Sequence, residues 1–193
     1  YNVTYKNAGN DTLIFSQGIT REDLVFGATG NNLIIALKED NKSFDELSNT
    51  VTIANARNVS TIENFEFSDG TVINHEDITN LQGTNDDDRI EALWESLTID
   101  AKDGDDEIIG SNDGDTIIGG KGKDTLVGKD GNDTYIFNKG DGQDTIIDSR
   151  GTDTIKFGDG ITSSDITVKR EGLNLILSNQ TNEDSITVQN WFN

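Results

Sequence analysis

From Ile90 onward an apolar residue returns at every ninth position: Ile90, Ile99, Ile108, Ile117, Leu126 and Tyr135. Between these residues lie Gly, Asp and Asn, the residues that turn a chain rather than extend it. The pattern predicts units of a six-residue turn and a three-residue strand, with the periodic residue in the middle of the strand and facing inward. The fullest unit is Gly119-Gly120-Lys121-Gly122-Lys123-Asp124-Thr125-Leu126-Val127, which fits G-G-x-G-x-D-x-U-x at every specified position. Two such units complete one coil, so turns eighteen residues apart lie on the same side and the periodic residues stack into a narrow core. After Tyr135 the phase slips by two residues, then resumes through Gly140-Asp141-Gly142-Gln143-Asp144-Thr145-Ile146 and again at Asp153-Thr154-Ile155.

On either side of this block the period changes. Stretches such as Asp165-Ile166-Thr167-Val168 and Leu173-Asn174-Leu175-Ile176-Leu177 alternate apolar and polar residues and predict short strands between Gly/Asn/Asp turns. Helical turns are expected only near Thr20-Arg21-Glu22-Asp23 and Asn74-His75-Glu76-Asp77. The two flanks also resemble each other. Asp11-Thr12-Leu13-Ile14-Phe15, Gly18-Ile19 and Asp23 return 142 residues later as Asp153-Thr154-Ile155-Lys156-Phe157, Gly160-Ile161 and Asp165. Thr50-Val51-Thr52-Ile53 matches Ser185-Ile186-Thr187-Val188 at an offset of 135, so the first copy carries extra residues around Lys38 to Leu47. The expected architecture is all-β: a parallel β-roll over residues 81–147 between two related β-rich modules, 1–80 and 148–193.

Charge changes the picture from architecture to chemistry. The 193 residues hold 36 Asp+Glu against 15 Lys+Arg, for a formal net charge of -21, and only 32% are hydrophobic. A chain so acidic repels itself and sits towards the disordered end of composition until something neutralises it. Such a polyanion is a poor partner for nucleic acid and a good one for divalent cations. No cysteine is present, which rules out disulfides and thiolate metal sites. No membrane-spanning run or signal peptide is evident, and with Tyr1 in place of an initiator Met the chain is expected to be an excised piece.

The acidic residues follow the same period. The sixth positions of successive units are Asp88, Leu97, Asp106, Asp115, Asp124 and Asp133, so the unit Ala92–Asp100 keeps the core residue and forfeits the carboxylate. Ca²⁺ takes six to eight hard oxygens at roughly 2.3–2.6 Å, more than one turn can offer, whereas two stacked turns can. The turn at 101–106 is expected to share ions with 119–124, and 110–115 with 128–133. The turn at 83–88 joins the first row, Asp141 and Asp144 close its far end, and no ion is expected at 92–97. Position-6 aspartates are the direct ligands, helped by Asn85, Asp103, Asn112 and Asp130 at position 3 and by backbone oxygens in the turns around Gly104, Lys121, Gly122 and Gly131.

These residues resemble the RTX (repeats-in-toxin), or hemolysin-type calcium-binding, family over about Gly83–Ile146. Both flanks resemble the hemolysin-type calcium-binding-related module, through Phe157-Gly158-Asp159-Gly160-Ile161, Asp165 and the closing Asn190-Trp191-Phe192, and more loosely through Phe15-Ser16-Gln17-Gly18-Ile19. The resemblance implies a calcium-binding segment of a larger secreted bacterial protein that binds several Ca²⁺ ions. It also implies type I secretion, with folding outside the cell beside neighbouring modules of the parent protein. An adhesin or toxin module for a host-cell or glycan ligand is the alternative.

An enzyme is disfavoured. His75 is the only histidine and lacks the partner of an H-E-x-x-H helix, no G-x-S-x-G elbow occurs, and Asp124 follows Lys123 where a phosphate loop needs Ser or Thr. Trp94 is expected to pack in place of a missing ion, and Trp191-Phe192 to cover the end of the roll.

Overall fold

The computed structural model describes residues 3–6, 11–30, 32–39, 42, 44–54, 56, 62, 64–92, 94, 96–180 and 183–193. Its centre is the parallel β-roll that the nine-residue period demands. One wall stacks the strands Asn80–Gln82, Thr98–Asp100, Thr116–Ile118, Thr134–Phe137 and Thr154–Phe157, all parallel. The other stacks Arg89–Glu91, Glu107–Ile109, Thr125–Asp130 and Gln143–Arg150. Because walls alternate along the chain, partners within a wall are eighteen residues apart, as in Ile99 opposite Ile117 and Ile90 opposite Ile108.

The two-residue slip after Tyr135 does not break the roll. It appears as a wider step, with Tyr135 opposite Ile155 and Leu126 opposite Ile146, and as irregular register between Val127 and Asp130. In each three-residue strand of the roll only the middle residue is buried. Leu81, Ile90, Ile99, Ile108 and Ile117 are fully enclosed, with Leu126, Tyr135 and Ile146 nearly so. Removing one such residue would leave a void with little chance of collapse, because its neighbours above and below are fixed by backbone pairing.

The flanks extend the walls. The meander Leu24–Thr29, Asn32–Leu37 and Thr50–Ile53 is antiparallel within itself and joins the roll through its first strand, where Gly27 lies opposite Gln82. The meander Ile166–Glu171, Asn174–Asn179 and Ser185–Val188 joins through its last strand, which runs parallel to Gln143–Ile146. The first two strands of these meanders lie 142 residues apart (24 to 166, 32 to 174), and the third strands 135 (50 to 185). One motif therefore serves both ends by presenting opposite edges.

A further small sheet of Val3–Lys6, Thr12–Phe15, Asn64–Glu66 and Val72–Asn74 belongs to the N-terminal side. Its Phe15 stacks on Phe67 with ring centroids 5.2 Å apart, and Phe65 packs edge-on against Phe26 at 6.3 Å. The two expected helical turns are single 3₁₀ turns, Arg21–Asp23 and His75–Asp77, where Asp23 and Asp77 accept the backbone N–H of Thr20 and Asn74. Sequence gave no sign of a third, Phe44–Glu46.

Candidate metal centre

Stacking places the position-6 carboxylates in two vertical rows. In the first row, Oδ1 of Asp106, Asp124 and Asp144 accepts the N–H of Asp88, Asp106 and Asp124, at 2.7, 2.9 and 3.1 Å. In the second, Oδ1 of Asp115, Asp133 and Asp153 accepts from Leu97, Asp115 and Asp133, at 2.7, 2.8 and 3.1 Å. Each carboxylate thus ties its turn to the one a coil earlier. Leu97 shows that a turn can give its N–H to this ladder while contributing no carboxylate.

The second oxygen distinguishes two kinds of turn. Among the described residues, Oδ2 of Asp106, Asp124 and Asp133 is buried and has no hydrogen-bond partner. In their turns the second position has a positive φ: Lys102 at 84°, Gly120 at 99° and Lys129 at 81°. Asp88 and Asp115 differ. Their Oδ2 atoms accept both the N–H and the hydroxyl of the position-2 residue, Thr84 at 2.6 and 2.9 Å and Ser111 at 2.6 and 3.0 Å. A hydroxyl side chain at position 2 closes the turn on its own carboxylate, whereas a left-handed Gly or Lys leaves that oxygen bare.

A bare buried carboxylate oxygen is costly, and native structures rarely keep one without a ligand or a proton. Burial accordingly pushes Asp106 up to about 7, Asp124 and Asp133 to about 6, and Asp144 to about 8. Nearby carboxylates add to each shift: Asp124 acts on Asp106, Asp105 on Asp124, Asp148 on Asp133, and Asp124 on Asp144. Asp141 is raised as well, again chiefly by burial. Hard, anionic oxygens with unused lone pairs suit a calcium ion and offer nothing to a soft metal.

The other expected ligands are less uniform. Asp141 is buried and its Oδ2 accepts the N–H of Asn138 at 2.6 Å. At position 3, Asn85 and Asn112 are exposed, Asp103 pairs with the ammonium of Lys121 at 2.8 Å, and Asp130 accepts from Ser149 at 3.1 Å. Asn85 and Asn112 are thus exposed, and the side chains of Asp103 and Asp130 are about half exposed, at 50% and 47%. The N–H groups of Gly104, Gly122 and Gly131 donate to the carbonyls of Lys121, Asp141 and Arg150, which pins the turns to one another. Asp148 and Asp153 escaped the sequence expectation, although one oxygen from each lies within 4.8 Å of an oxygen of Asp133. Asp153-Thr154-Ile155 repeats the Asp-Thr-Ile of the ladder and could have signalled Asp153. Asp148 follows the resumed phase at position 1, where the pattern calls for Gly and not for a carboxylate.

Trp94 turns towards the N-terminal module, where its indole N–H donates to the Ile78 carbonyl at 2.8 Å and its ring meets His75 edge-on at 5.7 Å. Trp191 is 61% exposed, and the Arg170 guanidinium lies 4.4 Å from the centre of the Phe192 ring. Among the described residues no helix is long and apolar enough to cross a membrane.

Comparison with known proteins agrees with this chemistry. Residues 100–135 match the RTX calcium-binding nonapeptide repeat in four copies, and residues 32–77 match the haemolysin-type calcium binding protein related domain. No curated protein matches the chain. Among solved structures, the crystal structure of the extracellular lipase LipA from Serratia marcescens is similar, with 19% identity and a TM-score of 0.49. The likeness covers 94% of this chain, which spans only 30% of that lipase.

Proposed function

Because residues 100–135 are RTX calcium-binding nonapeptide repeats, we propose that the chain is a calcium-dependent folding module of a larger secreted bacterial protein. It would remain unfolded in the low-calcium cytosol and fold after export. Its units are the roll 81–147 and the modules 1–80 and 148–193. The observation that carries this reading is the set of buried, partnerless Oδ2 atoms on Asp106, Asp124 and Asp133. In the first row the ligands are drawn from Asp88, Asp106, Asp124, Asp141 and Asp144, and in the second from Asp115 and Asp133. Calcium, when bound, supplies positive charge and a demand for several oxygens at once.

The residues do the rest. Asp106, Asp124 and Asp133 accept a backbone N–H through Oδ1 and keep Oδ2 buried and bare. Without neutralisation the stacked carboxylates repel one another and oppose the narrow apolar core and the strand pairing that hold the roll. Ion binding therefore adds directly to folding free energy, and extracellular modules of this chemistry bind at roughly 10⁻⁴–10⁻³ M.

The test is circular dichroism of the full chain in EDTA and then in millimolar CaCl₂. The β signal is expected to collapse in EDTA and to return cooperatively with calcium. A spectrum indifferent to calcium would overturn the reading.

A further inference from the structure

The two flanking modules share their strands but not their cover. At the constant offset of 142, Leu13, Phe15, Leu33 and Ile35 return as Ile155, Phe157, Leu175 and Leu177. The first four are at most 5% exposed, whereas their counterparts are only partly buried. One strand further out the contrast is sharper. Phe26, opposite Ile35, is 4% exposed, while its counterpart Val168, opposite Leu177, is 64% exposed. What covers the first copy is the strand Asn64–Glu66 and the residue after it. This strand pairs in parallel with Thr12–Phe15, placing Phe65 opposite Leu13 and Glu66 opposite Ile14. Phe65 then packs edge-on against Phe26, and Phe67 stacks on Phe15.

The second copy has the seat without the strand. Thr154–Phe157 pairs with Thr134–Phe137 on one side, and among the described residues no strand lies on the other. Beside that edge opens a cleft of about 420 Å³, lined among others by Ile155, Phe157, Leu175, Leu177, Val188 and the exposed Trp191. We propose that this edge and cleft form a docking site for one extended polypeptide segment of aromatic–acidic–aromatic pattern, supplied by a neighbouring module of the parent protein and added parallel to Thr154–Phe157. The register of the first copy sets the chemistry: an aromatic ring opposite Ile155, a carboxylate opposite Lys156 and a second ring on Phe157. Lys156 is exposed and stands where the first copy has Ile14, so it offers a cation to the acid in the place of Glu66. Strand addition of this kind takes affinity from main-chain hydrogen bonds and specificity from alternate side chains.

The probe is a synthetic peptide with the sequence of residues 64–74, titrated calorimetrically into the full chain in millimolar CaCl₂. Saturable binding is expected, with hydrogen exchange slowed along Thr154–Phe157. A peptide carrying both Phe65→Ala and Phe67→Ala should bind at least about tenfold more weakly, because it loses both buried rings. In the chain, Lys156→Glu changes an exposed side chain and leaves the fold intact. It should weaken the parent peptide about threefold, and a peptide with Glu66→Lys should recover that loss. Circular dichroism of the same samples with and without calcium reports the calcium reading of the roll, so failure of one does not imitate failure of the other.

No saturable binding to the folded, monomeric chain would overturn the site, and so would equal binding of the double-alanine peptide. Protection that appears elsewhere and spares Thr154–Phe157 would do the same. Dimerisation of the chain in sedimentation velocity that excludes the peptide would give the cleft to a second copy and overturn the proposed occupant.

Discussion

At the scale of single residues, the decisive atom is the second oxygen of each position-6 aspartate. From Asp106 onward Oδ1 is committed to a backbone N–H one coil earlier, and what happens to Oδ2 follows one residue four positions earlier. Thr84 and Ser111 cover it; Lys102, Gly120 and Lys129 do not. The bare carboxylates have pKa values well above the ordinary 3.8, Asp106 at about 7 and Asp124 and Asp133 at about 6, so the calcium-free roll holds protons that an unfolded chain has released by neutral pH. Their contribution to stability is complete below about pH 4 and is lost as pH rises through 6 to 8. Protons should thus stand in partly for calcium. In EDTA, β content and the urea midpoint are expected to rise on moving from about pH 8 to about pH 5. Less structure at the lower pH would contradict the raised pKa values.

At the scale of elements, the repeating object is a turn seated on the turn a coil earlier. Gly120 shows how tight the seat is. Its φ is 99°, and a Cβ would lie 1.5 Å from the Lys102 carbonyl oxygen. Gly120→Ala should therefore cost about 2–4 kcal/mol by combining left-handed strain with a backbone collision, seen as a higher calcium midpoint for folding. The neighbouring Lys121→Ala loses only an exposed ion pair with Asp103 and should leave the calcium midpoint nearly unchanged. Equal effects would mean that the turns do not stack as described.

These elements were largely legible in the sequence because a fixed period turns each apolar residue inward and sends successive Asp residues alternately to one of two rows. The flanking strands were legible through their offsets of 142 and 135. What periodicity could not carry was whatever departs from the pattern. Asp148 sits in an irregular stretch of pairing, and the small N-terminal sheet has no repeat to announce it. Trp94 occupies a unit that keeps the phase, but its partner Ile78 belongs to the flank, and no repeat spacing links the two. The position-3 residues share the phase of the position-6 aspartates, so spacing alone could not tell that Asp103 pairs with Lys121 while Oδ2 of Asp106 is buried and bare.

At the scale of the whole molecule, a roll has two open edges and, in this chain, a net charge of -21. Charge discourages association, but an uncovered parallel edge still offers a row of unpaired backbone groups. The C-terminal meander answers this by laying Ser185–Val188 along Gln143–Ile146, burying Ile186 and Val188 against the core. It also sends Asp184 to the N–H of Gly140 at 2.7 Å, so the flank holds the turn that carries Asp141. A chain ending at residue 150 loses both the edge cover and that anchor, and it uncovers Ile146 and Tyr135 at the end of the roll. Such a chain should need more calcium to fold, by circular dichroism, and should self-associate in sedimentation velocity once folded. A truncated chain that stays monomeric with the parent calcium midpoint would make the flank a neighbour of the roll rather than its cap. The opposite attachment of the two meanders, first strand at one end and last strand at the other, is what a capping role requires, since a roll built from parallel strands exposes a different edge at each end.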